Sequence, residues 1–175
     1  MKGALPTLYG ERVVLRRLAV ADADPLADAT VHPEIARWWG PPRDREHHRA
    51  GLLGDVARNA AFAIEVGGAL AGWMGVSEED EPDYRHASLD IFLVPAKHGA
   101  GLGREALRVA LRWLFDERGH HRVTVDPAVA NERAIRVYEG VGFRPVGVMR
   151  RYECAPDGQW RDGLLMDLLA DELSF

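Results

Sequence analysis

The chain has 175 residues, a formal net charge of -5 and a single cysteine, and charged residues interrupt every hydrophobic segment before it reaches the length of a membrane span. That length buries a core without disulfides or metal staples, and the acidic balance (pI about 5.8) argues against a general nucleic-acid binder while suiting a cationic substrate. Cys154 has no partner for an internal disulfide and no leader-like pattern opens the chain, so a reducing cytoplasm is the expected compartment.

Val13 to Leu18 reads as a strand, followed by an Ala- and Asp-rich helix to Thr30 that Asp22 or Asp24 would cap ahead of Pro25. Pro33 opens a turn of helix carrying Trp38 and Trp39. After the breaker "GPP" at 40–42 a polar helix is expected over roughly Arg43 to Arg58, and then the strands "AFAIEV" and "LAGWMGV", joined by Gly67-Gly68 as a hairpin. The acidic run Glu78 to Asp83 reads as a solvated loop, and Ala87 to Val94 as a strand with Asp90 inside it, halted by Pro95. Gly103 to Arg118 has helical spacing of Leu107, Ala110, Leu111, Leu114 and Phe115, with Gly119 as its stop. "RVTVD" (Arg122 to Asp126) is a short strand, Asn131 stands where an N-cap belongs, Gly142 ends the helix, and "FRPVGVMRRYE" and "LLMDLL" form a last strand pair around "PDGQ". No repeat or linker divides the chain, so residues 1–175 are expected to form one α/β domain around a single mixed sheet.

One stretch carries chemistry. "HGAGLGREAL", from His98 to Leu107, places Gly99, Gly101 and Gly103 between a strand and a long helix. Their spacing is not that of a dinucleotide-binding GxGxxG, and Gly103-Arg104-Glu105 lacks the lysine and hydroxyl of a P-loop. What remains is a strand, a proline, a glycine loop and a helix N-terminus, whose backbone N–H groups converge with few side chains in the way; such a nest suits a pyrophosphate.

These residues resemble the GCN5-related N-acetyltransferases (GNAT), which hold acetyl-coenzyme A on a glycine loop of form Gln/Arg-x-x-Gly-x-Gly/Ala. Here that loop reads His98-Gly99-Ala100-Gly101-Leu102-Gly103, with His98 in place of Gln or Arg. A second block, "NERAIRVYEGVGF" (Asn131 to Phe143), is similar to the family's Asn-x-x-Ala-x-x-x-Tyr-x-x-x-Gly-Phe segment. The resemblance implies a mostly antiparallel sheet of about seven strands, splayed at its two central strands and flanked by about four helices. It implies acetyl-coenzyme A as cosubstrate and no metal, with cofactor contacts from Phe92, Leu93, Val94, His98 through Arg104, Asn131, Ala134 and Tyr138. A backbone N–H near Phe92 to Val94, freed where pairing breaks, would hydrogen-bond the thioester carbonyl. Tyr138 matches the family's general acid for the leaving thiolate. Direct attack by the amine is expected, without a covalent enzyme intermediate.

An attacking amine must be neutral, so a carboxylate that binds the ammonium and takes or relays its proton is needed; Asp90 and Asp126 qualify. Asp126 also suits a turn role before Pro127, and Asp90 a solvent-facing strand position. "DPAVANERAIRVYEGVGF", with Asp90 and "IARWWG", is most similar to aminoglycoside 6′-N-acetyltransferases, which implies a cationic amine acceptor walled by Trp38 and Trp39 and engaged by Asp90 and Asp126. The start "RVVLRRL" and tail "DGLLMDLL" resemble those of ribosomal-protein N-terminal acetyltransferases and related broad small-amine acetyltransferases, the alternative reading; a non-catalytic acyl-coenzyme A sensor is a third. Neither nucleic acid nor membrane is an expected partner, and the protein would be a monomer or a homodimer. His47-His48 and His120-His121 read as surface residues rather than metal ligands, and Cys154 as an unreactive thiol in the last hairpin.

Overall fold

In the computed structural model, which describes residues 5–39 and 44–174, eight strands make one sheet. They are β1 (Leu8–Tyr9), β2 (Val13–Arg17), β3 (Ala61–Val66), β4 (Ala69–Glu79), β5 (His86–Leu93), β6 (Arg122–Val125), β7 (Arg144–Cys154) and β8 (Trp160–Leu169), in the order β1-β2-β3-β4-β5-β6-β8-β7. All neighbours are antiparallel except β5 and β6, so the sheet is mixed as expected. The strand beyond the expected seven is β1, whose two residues pair with Leu15 and Val14 but are too few to show an alternating pattern. The helices are α1 (Ala23–Thr30), the single turn α2 (Pro33–Ala36), α3 (Arg45–Arg58), α4 (Leu102–Arg112) and α5 (Glu132–Glu139). The expected breaker at 40–42 lies outside the described residues.

Period-two alternation puts a core on each face of the sheet. From β3, Phe62 and Ile64 join Leu107, Leu111 and Leu114 under α4, while Ala61 and Ala63 face the opposite layer with Leu26 of α1, Ile35 of α2 and Leu52 of α3. Leu107, Leu111 and Leu114 are fully buried, each stabilising by roughly 1.5–3 kcal/mol. The long helix does not run unbroken to Arg118: α4 ends at Arg112 and continues as a wider π turn, Trp113–Glu117, in which Arg118 N–H donates to Trp113 O at 3.0 Å. The wider turn lets three successive side chains, Trp113, Leu114 and Phe115, all be buried.

Three local expectations are corrected. Asp22 stands at the N-cap position of α1, but its side chain does not cap the helix: it accepts from Arg16 (2.6 and 2.8 Å) and from the Ala19 N–H (2.8 Å), while Asp24 pairs with Arg45 and Arg49. β4 runs through Glu79, so Glu78 is not a loop residue; its carboxylate is fully buried, 2.9 Å from Arg118 and 2.8 Å from His120 Nε2. His120 is accordingly a core residue at 2 % exposure and not on the surface.

The feature that positions the site is the break between β5 and β6. They share only the pairs Ala87↔Val123 and Ser88↔Thr124, although β5 continues to Leu93. Beyond Ser88 the two strands diverge, and Asp90 and Asp126 are carried on opposite lips of the gap.

Candidate active site

Beyond β5, Pro95–Lys97 makes one 3-10 turn and the glycine loop follows. Gly99 (φ +81°) and Gly101 (φ +78°) occupy the left-handed region that L side chains rarely adopt, and Gly101 is the N-cap of α4. Helix geometry leaves the first-turn N–H groups of Leu102, Gly103 and Arg104 without intrahelical acceptors, so they and the helix dipole present positive potential at the loop. Arg12 pins the loop to β2: its Nη1 donates to Ala100 O at 2.9 Å and its Nε to Glu105 at 2.8 Å, while Glu105 also accepts the Arg12 and Val13 N–H groups.

The His98 ring bridges two elements. Its Nε2 lies 2.7 Å from Leu93 O and its Nδ1 3.2 Å from Glu34, so the ring ties the end of β5 to α2. Arg104 lies across the end of α5, donating to Arg136 O at 3.2 Å. Val94 is also committed, donating its N–H to Ala71 O of β4 at 2.9 Å. By strand alternation Phe92 faces β4 as well, and within the expected Phe92–Val94 stretch it is the Leu93 N–H that points into the gap.

Two cavities meet at the gap. The smaller, about 160 Å³, is lined by Phe92, Leu93, His98, Gly103, Asn131, Ala134 and Tyr138, which brings together seven of the residues expected to bind the cofactor. The larger, about 450 Å³, is lined by Asp90, Asp126, Trp38 and Trp39, the four expected at the acceptor. Tyr138 borders both. Its position follows from Asn131, whose side chain accepts the Ala134 N–H at 3.2 Å and starts α5 at the cavity wall; the Tyr138 ring is buried edge-on against Phe143. Trp39 packs edge-on against Trp73 and Phe92, both at 5.5 Å between ring centroids.

The large cavity is strongly acidic. Asp55 of α3 and Glu153 of β7 join Asp90 and Asp126 on its wall. The Asp90 side chain is exposed where it opens into the cavity, but the surrounding protein takes away part of its hydration, and this desolvation, with the charges of Asp126, Glu153 and Asp55, raises its pKa to about 6. Burial raises that of Tyr138 too, reinforced by Asp90 and Asp126, so its hydroxyl keeps its proton. Burial likewise raises the pKa of Asp55, against the opposing pull of Arg58.

Residues 12–144 match the family model described as Acetyltransferase (GNAT) domain. The chain belongs to this acetyltransferase family. Among its relatives, the Klebsiella pneumoniae aminoglycoside N(6′)-acetyltransferase type 1 is 27% identical over 177 residues, covering 90% of this chain and 84% of that protein. The N-alpha-acetyltransferase RimI of Mycobacterium tuberculosis is 34% identical over 95 residues, covering 54% of this chain and 58% of RimI. The fold is shared with Mycobacterium smegmatis RimJ, solved in complex with CoA-disulfide, at a TM-score of 0.83, 24% identity, and coverage of 97% and 90% of the two chains.

In this GNAT chain the cavity residues Asp55, Trp73 and Glu153 carried no sequence signal, nor did Tyr152 and Arg161, which bond to residues of its wall. Arg161 of β8 donates to Arg37 O (2.8 Å), Trp38 O (3.0 Å) and Glu153 (2.8 Å), and its guanidinium lies 5.5 Å from the Trp38 ring centroid. Tyr152 donates its hydroxyl to Asp126 at 2.5 Å. Among the described residues no cluster suited to hold a metal ion is found.

Proposed function

We propose that this acetyltransferase uses acetyl-coenzyme A to acetylate a primary amine on a small polycation, an aminoglycoside 6′-amine being the best-supported acceptor. The observation that carries this reading is the convergence of Asp55, Asp90, Asp126 and Glu153 on one cavity that meets a second, narrower one at Tyr138. Acetyl-coenzyme A supplies an activated acetyl thioester when bound. The chain fits it: the left-handed glycines and bare first turn of α4 form an anion cradle, and the narrow cavity leads from Gly103 to the gap.

In this reading the carboxylates bind the ammonium form of the acceptor, and Asp90, poised near neutrality, takes its proton. Trp38 and Trp39 wall the acceptor, placing the amine beside the gap. The Leu93 N–H faces the point where negative charge develops. Tyr138, protonated throughout the working pH range, supplies the proton to the departing thiolate. The likeness to the Klebsiella enzyme supports the aminoglycoside acceptor; the likeness to RimI favours, as a second reading, a protein N-terminal amine.

The test is thiol release from acetyl-coenzyme A with kanamycin-type aminoglycosides, polyamines and ribosomal N-terminal peptides. Release with the aminoglycosides is expected; peptide-only activity overturns that acceptor, and no release with any amine overturns the transferase reading. Tyr138→Phe is expected to lower kcat roughly 100-fold with little change in acceptor KM. Asp126→Asn should depress turnover while coenzyme A affinity stays unchanged.

A further inference from the structure

The hydrogen bond from Tyr152 to Asp126 spans an intervening strand. β7 and β6 are not neighbours, since β8 lies between them, so the Tyr152 side chain has to cross β8 to reach the end of β6. Two features make the crossing. The β7–β8 ladder passes from Met149↔Gly163 directly to Glu153↔Arg161, so residues 150–152 bulge opposite the single residue Asp162. Within this bulge Arg151 has a φ of +50°, a left-handed conformation for a residue with a side chain, held by its N–H donating to Asp162 Oδ1 at 2.8 Å. Beneath the ring is Gly163, where a Cβ would stand 2.7 Å from Tyr152 Cδ1. A strained bulge and a missing side chain thus deliver one hydroxyl to one carboxylate.

We propose that Tyr152 is a positioning residue of the acceptor pocket: its hydroxyl, passed over β8 at Gly163, holds the Asp126 carboxylate in one orientation, so that Asp126 anchors the ammonium while Asp90 takes its proton. This rests on the amine-acetyltransferase reading above. A hydroxyl donated to one carboxylate oxygen fixes the rotation of the group and leaves the other oxygen to accept from the ammonium. Asp90 has no such donor among the described residues and is faced by Asp126, Glu153 and Asp55 across the cavity. Two carboxylates held in different surroundings take separate roles in one site. The ionisable groups that share this space are His47, His48 and Asp55 from α3, Tyr138 from α5, Glu153 from β7 and, bonded to Glu153, Arg161 from β8.

The test compares wild type with Tyr152→Phe in two measurements. At about pH 8 and without any substrate, the carboxyl-carbon NMR signal of Asp126 is expected to shift and broaden in the variant as the group loses its fixed orientation. In amine acetylation, acceptor KM should rise several-fold, with acetyl-coenzyme A KM unchanged. In an Asp126→Asn background Tyr152→Phe should add nothing. Gly163→Ala, which displaces the ring while keeping the hydroxyl, should reproduce the direction of both changes. An unmoved Asp126 carboxyl signal, or equal losses in both backgrounds, overturns the proposal. Absence of thiol release by wild type with every amine overturns the transferase reading instead, and the substrate-free spectrum still decides whether Tyr152 positions Asp126.

Discussion

Asp90 is a strand residue that the fold holds at a disadvantage. Its pKa stands at about 6 against an ordinary 3.8, because desolvation and then Asp126, Glu153 and Asp55 all disfavour its charge. The folded chain therefore binds the Asp90 proton more tightly than the unfolded chain does, and stability falls as pH rises from about 4 to about 6. Asp90→Asn is expected to raise Tm at pH 8, with the gain shrinking below pH 6 and gone by pH 4, as thermal denaturation across pH would show. A variant that is less stable than wild type at pH 8 would mean the carboxylate is a net stabiliser. Asp90, Asp126 and Tyr138 were legible in the sequence because each sits within or beside a recognisable block. Asp55, Tyr152 and Glu153 were not: Asp55 is one of several charges on a polar helix, and the bulge at 150–152 destroys the alternation by which facing residues of β7 are read.

At the scale of elements, the larger cavity, the proposed acceptor site, is bordered by a link between distant parts of the chain. Arg161 of β8 binds the backbone carbonyls of Arg37 and Trp38 just beyond α2, holding the Trp38 indole beneath its guanidinium. Arg161→Ala removes the bonds to the Arg37 and Trp38 carbonyls, the ion pair with Glu153 and the contact with the Trp38 ring, each of the order of 1 kcal/mol or more. The expected outcome is a rise of roughly tenfold in acceptor KM with coenzyme A affinity intact, measured by steady-state kinetics and calorimetry; parallel losses of both would mean the link supports the whole gap. The glycine loop and α4 were readable from spacing alone, since positive φ and a helix start both have strong residue preferences. His98 was not, because its partners, Leu93 O and Glu34, come together only when α2 packs beside β5. Glu78 and His120 escaped for a similar reason: an acidic run reads as solvated until Arg118 arrives from the end of the π turn to pair with it.

Across the whole molecule, the order of elements and the mixed sheet followed from the alternation of periods along the chain, and eight strands were found where about seven were expected. The gap between β5 and β6 was implied by the family resemblance rather than by any local residue preference, since nothing in Ile91 or Leu93 itself prevents pairing. Its consequence reaches beyond chemistry. With two residue pairs joining β5 to β6, the sheet is two hydrogen-bonded sections, β1 to β5 and β6 to β8 with β7, meeting along a weak seam and backed by a shared apolar layer under α4. A ligand lodged in that seam acts as a weld. Amide exchange at Ile91 and Leu93 should be rapid in the free protein and slow sharply with coenzyme A, while Met74 and Val76 on the far side of β5 change little. At about 100 times its Kd such a ligand adds about 2.7 kcal/mol, a rise in Tm of roughly 5–10 °C for a chain of this length. Cellular lifetime would then track the supply of coenzyme A and its acyl ester, because the seam is closed only while a ligand sits in it.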